Sequence, residues 1–280
     1  MANDLSPAPI LKPKRISSIL TVRAKQRLTP NMIRVTLSAP ELSAIPAAIA
    51  GGHCKLMIPE PGQSRFAFED RFLNGPKPVT RTYTIRHARP EACEIDVDFV
   101  AHGDDGPASA WAGRATPGDV IGFAGPGQPK LTEFDADFYL IAADMSALPV
   151  AAAALEALPR DARGIAIFEV TTPEDRQEID APAGIAQHWL LHPDPHDPSR
   201  AQIDMVETMP WPKCRVRTMI AGETWVIRSL RLLLRQDKGL DRTRVYASGY
   251  WRIGLAEDEH QKVKREIDAA DEAALEGGTS

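Results

Sequence analysis

Cysteine is scarce in this chain: Cys54, Cys93 and Cys214 are the only three in 280 residues. An odd, widely spaced set excludes a disulfide framework, offers no C-x-x-C pair for dithiol redox chemistry, and fits a reducing compartment. Long apolar runs are also missing. None approaches the roughly 20 residues of a bilayer-spanning helix, and the opening "MANDLSPAPILKPKRISSIL" lacks the apolar core of a signal peptide. The expectation is a cytoplasmic protein that engages no membrane. Positive charge is not in excess. With 33 Lys and Arg against 38 Asp and Glu, the net charge is -5, which removes any general attraction for nucleic acid and leaves anion binding to local basic patches. G-x-S-x-G, H-E-x-x-H and G-x-G-x-x-G are all absent, so a hydrolase elbow, a zincin helix and a dinucleotide fingerprint have no support. No metal site is expected. Nothing in the sequence demands a second copy, and the expectation is a monomer.

What is present divides near residue 134. Residues 1–14 are Pro-rich and polar, an expected loose arm. From 15 to 133 the pattern is one of short alternating strands with Gly/Pro punctuation. "MIRVTLSA" sets Ile33, Val35 and Leu37 on one face. "CEIDVDFVAHG" turns Ile95, Val97 and Phe99 inward and Asp96 and Asp98 outward, and "GDVIGFAGPG" is a short apolar strand. Such a series predicts an antiparallel barrel. From 134 to 255 the strands become continuous apolar runs alternating with helices: "FYLIAAD", the helix "MSALPVAAAALEALP" capped by Asp144 or Ser146, then "GIAIFEVTT", "HWLLHP", "RVRTMIAG", the helix "ETWVIRSLRLLLRQDKG" ending at Gly239, and "RVYASGYW". Runs covered on both faces and separated by helices predict a doubly wound parallel sheet. Residues 256–280 read as a polar C-terminal helix.

The stretch "VTRTYTIR" raises the functional question. It reads as a strand whose one parity holds Val79, Arg81, Tyr83 and Ile85 while three Thr fill the other. A buried face seldom pairs Arg with Tyr. Further on, "HGDDGPASAWA" combines a Gly turn with Pro107 at a helix start and small Ala108 and Ser109 behind it, a place where backbone N–H groups can meet an anion.

Together "RTYTIR", "DVDFVAHGDDGPASAWAGRATPGDVIGFAGPG", "YLIAADMSALP", "AGETWVIRSLRLLL" and "YASGYWRIG" resemble, in order and spacing, the siderophore-interacting protein family. These are FAD-containing ferric-siderophore reductases of the ferredoxin–NADP reductase superfamily. The resemblance spans Arg15 to Leu255. It implies a six-stranded-type FAD-binding barrel followed by an α/β domain that admits NAD(P)H or reduced ferredoxin, and a ferric siderophore as substrate. It implies that Arg81 meets the FAD pyrophosphate, Tyr83 packs on the isoalloxazine and Thr84 sits beside N5, with Thr82 in the same strand. A guanidinium fork suits phosphate oxygens and a phenol offers a flat face to a flat ring. Asp98, Val100, His102, Ala108, Ser109 and Trp111 are implied to line the diphosphate or ribityl chain, and Asp144, Ser146 and Ala147 to border the flavin. Trp251, Arg252 and Gly254 are implied along the adenine side. A basic triad for anionic siderophores falls on Lys55, Lys130 and Arg252. At "AADMSALP" the chain departs from the family's G-D-E-[TS]-A-L-P, with Ala143 for Gly and Met145 for Glu, which leaves the donor open between NADPH, NADH and ferredoxin. No catalytic acid or base is required by electron transfer to iron. Two other readings stay open: an FAD-dependent reductase of free flavin, quinone or iron chelates, and a flavin-free siderophore-binding module.

Two patterns are set aside. His188, His192 and His196 share a four-residue spacing, but the prolines of "HWLLHPDPHDP" forbid the helix that would align them. Arg228, Arg231, Arg235 and Lys238 form a helical stripe expected to face solvent.

Overall fold

The computed structural model describes residues 14–103 and 106–255. The expected C-terminal helix and all but the last residue of the expected N-terminal arm lie outside the described residues. Seven antiparallel strands come first: β1 (Ile16–Thr29), β2 (Met32–Ser38), β3 (His53–Ile58), β4 (Val79–Thr84), β5 (His87–Arg89), β6 (Glu94–Val100) and β7 (Val120–Gly125), in the order β4-β3-β7-β1-β2-β6-β5. The two edge strands, β4 and β5, are halves of one run. Ile85 still exchanges backbone hydrogen bonds with Gly51 and Gly52 ahead of β3, and Arg86 N–H already donates to Asp96 O in β6. That hand-over closes the barrel, and it explains why seven strands stand where a six-stranded type was expected: one strand changes partner midway. Closure also removes the free edges that would otherwise invite intermolecular pairing.

The barrel core is filled by the apolar parities of these strands, with Leu20, Val35, Leu56, Val97, Phe99 and Phe123 fully enclosed. Asp96 and Asp98 do point away from this core, yet both are buried. Asp98 lies in a two-pronged pair with Arg34 (2.7 Å for each contact), and Asp96 accepts from Arg89, His87 and Thr36. Alternation alone had assigned them to solvent; cross-strand cations cover them instead. Two helices join the barrel, α1 (Arg65–Asn74) and α2 (Pro107–Arg114). The strand-and-turn expectation missed α1, because its Phe66 and Leu73 face solvent and only Phe68 is buried, leaving no apolar stripe to detect.

The second sheet is parallel throughout, with order β10-β9-β8-β11-β12 for β8 (Phe138–Asp144), β9 (Arg163–Val170), β10 (Gly184–Leu191), β11 (Val216–Glu223) and β12 (Val245–Trp251). Helix α3 (Leu148–Ala157) packs on one face; α4 (Ala201–Thr208), also missed by sequence, and α5 (Thr224–Leu232) pack on the other. Strand order reverses between β8 and β11, which creates a crevice at their carboxyl ends. Helix α5 passes into a wider turn at 233–237 and stops at Gly239, whose φ of 70° needs glycine. Within the expected basic stripe, Arg231 is buried and Lys238 lies 5.4 Å from the Trp211 ring centre, so the stripe is not a purely solvated face. Among the described residues no helix is long and apolar enough to cross a membrane.

The two sheets are joined by a specific seam. The Asp175 carboxylate is fully buried and accepts from Thr29 Oγ1 (2.7 Å), Asn31 N (2.9 Å) and Asn31 Nδ2 (2.8 Å) of the barrel. Arg86 forms a two-pronged pair with Glu156 of α3, and Met32 packs against Met145 and Val170.

Candidate FAD and siderophore site

Strand β4, which holds the residues marked by the sequence, stands at one edge of the barrel sheet beside β3. Its pairing with β3 sets Lys55 opposite Thr82, and Lys55 Nζ donates to Thr82 Oγ1. Tyr83 is half-buried and its ring centre stands 4.5 Å from that of Phe99, which in turn lies 5.8 Å from Trp111. The Tyr83 ring is thereby held by an aromatic column that begins in α2. Trp111 itself is buried in the barrel core, so it supports Tyr83 through Phe99 and does not reach a groove directly. Arg81, half-buried, bonds Thr80 O through Nη1.

At the turn before α2, Gly106 stands at the N-cap and supplies no side-chain cap, and Pro107 occupies the first helical turn. The first backbone N–H groups of the helix therefore have no side-chain cap, and such groups are suited to an anion. Ser109 is committed: its hydroxyl donates to Gly103 O (2.9 Å) and accepts from His102 N (3.2 Å), so it shapes the turn. His102 is exposed, and its ring closes over Gly106, where a Cβ would come within 2.7 Å of Cε1. Val100 packs with Met32 and Met145 at the seam, and the Asp98 carboxylate is taken up by Arg34.

On the α/β side, Asp144 closes β8 and occupies the crevice. Its Oδ1 accepts from Ser146 N (2.9 Å), Ser146 Oγ (2.6 Å) and Ala147 N (3.2 Å), and its Oδ2 accepts from Trp251 Nε1 at 2.7 Å. Helix α3 has no side-chain cap at Ala147; Asp144, one candidate of two, satisfies amides of the preceding turn, and Ser146 caps nothing. Burial raises the Asp144 carboxyl above the ordinary range despite the donors from Ser146, Trp251 and Ala147. The pair passes over Gly222 (φ 149°), where a Cβ would sit 2.7 Å from Asp144 Oδ2; any side chain there would part them. Trp251 O accepts from Thr224 Oγ1 at 2.8 Å. The segment "SGYWRIG" is therefore knitted to the ends of β8 and β11. Within it, past the end of β12, Arg252 is half-buried and Gly254 exposed.

The expected basic triad is only partly assembled. Lys130 Nζ meets His53 Nδ1 at 3.2 Å and lies 5.9 Å from the Tyr246 ring centre. Burial, then the charges of Lys130, Lys55 and Arg15, lower the His53 pKa, which places four basic groups in one patch. Arg252 follows directly after β12 and is half-buried. His53 and Arg15 were missed. The signal for His53 was its two-residue offset from Lys55, which puts both on one face of β3; nothing local marked Arg15. Tyr246 and Tyr250, also missed, share a face of β12 in the same way. Among the described residues no group of three His, Cys, Asp or Glu could hold a metal, and His192 Nε2 meets Asp197 O instead.

The residues fit FAD by their chemistry. A guanidinium, an uncapped helix start, a row of strand hydroxyls and a half-buried phenol suit a diphosphate joined to a flat heteroaromatic ring. Residues 21–130 match the family model described as the siderophore-interacting FAD-binding domain, and residues 136–254 match that of the siderophore-interacting protein. The chain is 31% identical to the ferric vibriobactin reductase ViuB of Vibrio cholerae, over 87% of this chain and 92% of that one. It superposes on the crystal structure of the siderophore-interacting protein SipS of Aeromonas hydrophila with a TM-score of 0.79 and 34% identity, covering 90% and 98% of the two chains. A ferredoxin reductase of carbazole 1,9a-dioxygenase, 17% identical, shares the fold with a TM-score of 0.62 over 85% of this chain and 70% of its own. The chain belongs to the siderophore-interacting protein family, with an FAD-binding barrel followed by an α/β domain of ferredoxin-reductase fold.

Proposed function

We propose that the protein is an FAD-dependent reductase of ferric siderophores that releases iron as Fe(II) in the cytoplasm. The observation that carries this reading is the meeting of the β4 strand, Arg81 to Thr84, with a basic patch of Lys55, Lys130, His53 and Arg15. When bound, FAD supplies the means to take electrons in pairs and give them singly. Arg81 and the start of α2 would hold its diphosphate, Tyr83 would pack against its ring, and Thr84 would lie beside it. The basic patch draws a chelate whose hydroxamate, catecholate or carboxylate oxygens are anionic, against a protein of net charge -5. Iron is released because hard oxygen donors hold Fe(III) far better than Fe(II). NADH, NADPH or reduced ferredoxin supplies the electrons. Since Asp144 occupies the Ser146 and Ala147 amides, a nucleotide donor would place its phosphates elsewhere than the turn after β8.

The test is anaerobic spectroscopy of the FAD-loaded protein, offered NADH, NADPH and reduced ferredoxin in turn and then ferric hydroxamate, ferric catecholate or ferric citrate. The yellow colour should bleach with a donor and return with the siderophore-type chelates faster than with citrate. Lys55→Glu should slow the return with anionic chelates while flavin content is unchanged. A protein that takes up no FAD ends the proposal.

A further inference from the structure

Arg86 and Gln177 each hold a buried side-chain nitrogen with no hydrogen-bond partner: Arg86 Nε in the barrel and Gln177 Nε2 in the α/β domain. Both residues line one cavity of about 740 Å³ at the seam, together with Arg34, His87, Arg176 and Ile179. Arg86 belongs to the hand-over between β4 and β5 and is 5% exposed. Its Nη1 and Nη2 hold the Glu156 carboxylate, so the fork is fixed and only Nε is left over. None of the residues read as binding FAD or siderophore lines this cavity.

A buried N–H without an acceptor is costly and uncommon, and here two of them, from different domains, belong to the wall of one space. Both atoms donate and neither accepts, so the group that completes them must bring oxygen acceptors. A guanidinium bonds an ionised oxygen more strongly than a neutral one. The carboxylates of the wall do not fill that role: Glu156 is taken by the Nη atoms of Arg86, Asp180 by Arg160, and Glu178 is exposed. Arg176 adds an exposed guanidinium to the same wall. The volume is too large for an inorganic ion and falls among small-molecule sites of roughly 300–1,000 Å³, and Leu28, Ile179 and Ala181 give the cavity an apolar side.

We propose that this cavity is a binding site separate from β4. It takes an organic anion whose carboxylate or phosphate head accepts from Arg86 Nε and Gln177 Nε2 and whose body lies along Leu28 and Ile179. Such a ligand ties the barrel to the α/β domain beside the Arg86–Glu156 pair. The plainer account is that water enters and satisfies both donors. That account predicts no saturable binding.

Calorimetric titration of the full-length protein, with FAD present and ionic strength fixed, separates the two. Phenyl phosphate and benzoate share a body and differ in head. Inorganic phosphate and acetate offer the heads alone, and benzamide is benzoate without its charge. One of the two aromatic anions should bind one-to-one, and which of them does so names the head. The bodiless ions and benzamide should bind at least about 10-fold more weakly. Gln177→Leu, which keeps the bulk and removes the donor, should weaken the aromatic anion about 10-fold, the worth of a hydrogen bond to a charged group. Lys130→Gln, in the patch around His53, should bind it as the parent does. The site is overturned if neither aromatic anion binds, if benzamide binds as tightly as the better of them, or if Gln177→Leu binds as the parent does. Loss in Lys130→Gln with full binding in Gln177→Leu would place the anion in the basic patch instead.

Discussion

The barrel and the α/β domain treat charge in opposite ways where they meet. Along β3 and β4 the barrel offers cations and donors: Arg81, Lys55, Lys130, His53 and the threonine row. The carboxyl ends of the parallel strands instead end in Asp144, Glu169 and Glu223, each engaged by donors of its own domain: Asp144 by Ser146 and Trp251, Glu169 by Ser199, Glu223 by the first amides of α5. The crevice that phosphates fill in many doubly wound folds is satisfied from within. The lesson is that the barrel side of the boundary gathers cations, while the α/β side presents carboxylates already engaged by its own donors.

The contrast is most exposed where the two sides share a carboxylate. Asp175→Ala should leave the buried Thr29 hydroxyl and the half-buried Asn31 and Thr172 donors without their acceptor and cost about 3 kcal/mol, read as a lower denaturant midpoint. A loss under about 1 kcal/mol would show that burial at Met32 and Met145 holds the seam without it. Next in size, Arg81→Ala should weaken FAD about 10-fold to 100-fold, the worth of a charge-assisted bond, by titration of the unloaded protein with FAD; unchanged affinity would move the diphosphate off β4.

The smallest effect is in acid. Asp96 feels burial that would raise its pKa, but Arg89, His87 and Thr36 outweigh it and hold it well below the ordinary range. A depressed folded pKa means that stability is full above the unfolded value near pH 4 and drains as pH falls through the folded one. Asp144, shifted upward, acts with the opposite sign: its contribution is full below about pH 4 and is lost as pH rises through its folded value. Asp96→Asn should therefore flatten the acid side of the stability curve in a pH series of urea melts, at some cost near neutrality. An unaltered slope would mean that the Arg89 pair does not survive in solution.

Much of this fold was legible in the sequence because barrel strands alternate and parallel strands do not. "CEIDVDFVAHG" and "FYLIAAD" differ in period although both strands are covered on both faces: carboxylates paired with cations fill one face of β6, and apolar side chains fill both faces of β8. Helices α1 and α4 escaped because their buried faces carry too few apolar residues to show a stripe, only Phe68 in α1 and Ile203 and Val206 beside Gln202 in α4. In the site, "RTYTIR" announced itself by an Arg and a Tyr on a strand's apolar parity. Arg252 was grouped with Lys55 and Lys130 on resemblance alone, and His53, which meets Lys130, was not named with them.

Period, punctuation and residue type along contiguous stretches were enough to determine two domains, their strand classes and the β4 motif. Which distant groups touch was left to the tertiary structure: Lys130 with His53, Trp251 with Asp144, Asp175 with Thr29 and Asn31. Such contacts depend on register, closure of the barrel and the angle of one domain on the other, and these are set by the packing of whole surfaces, which no local pattern contains.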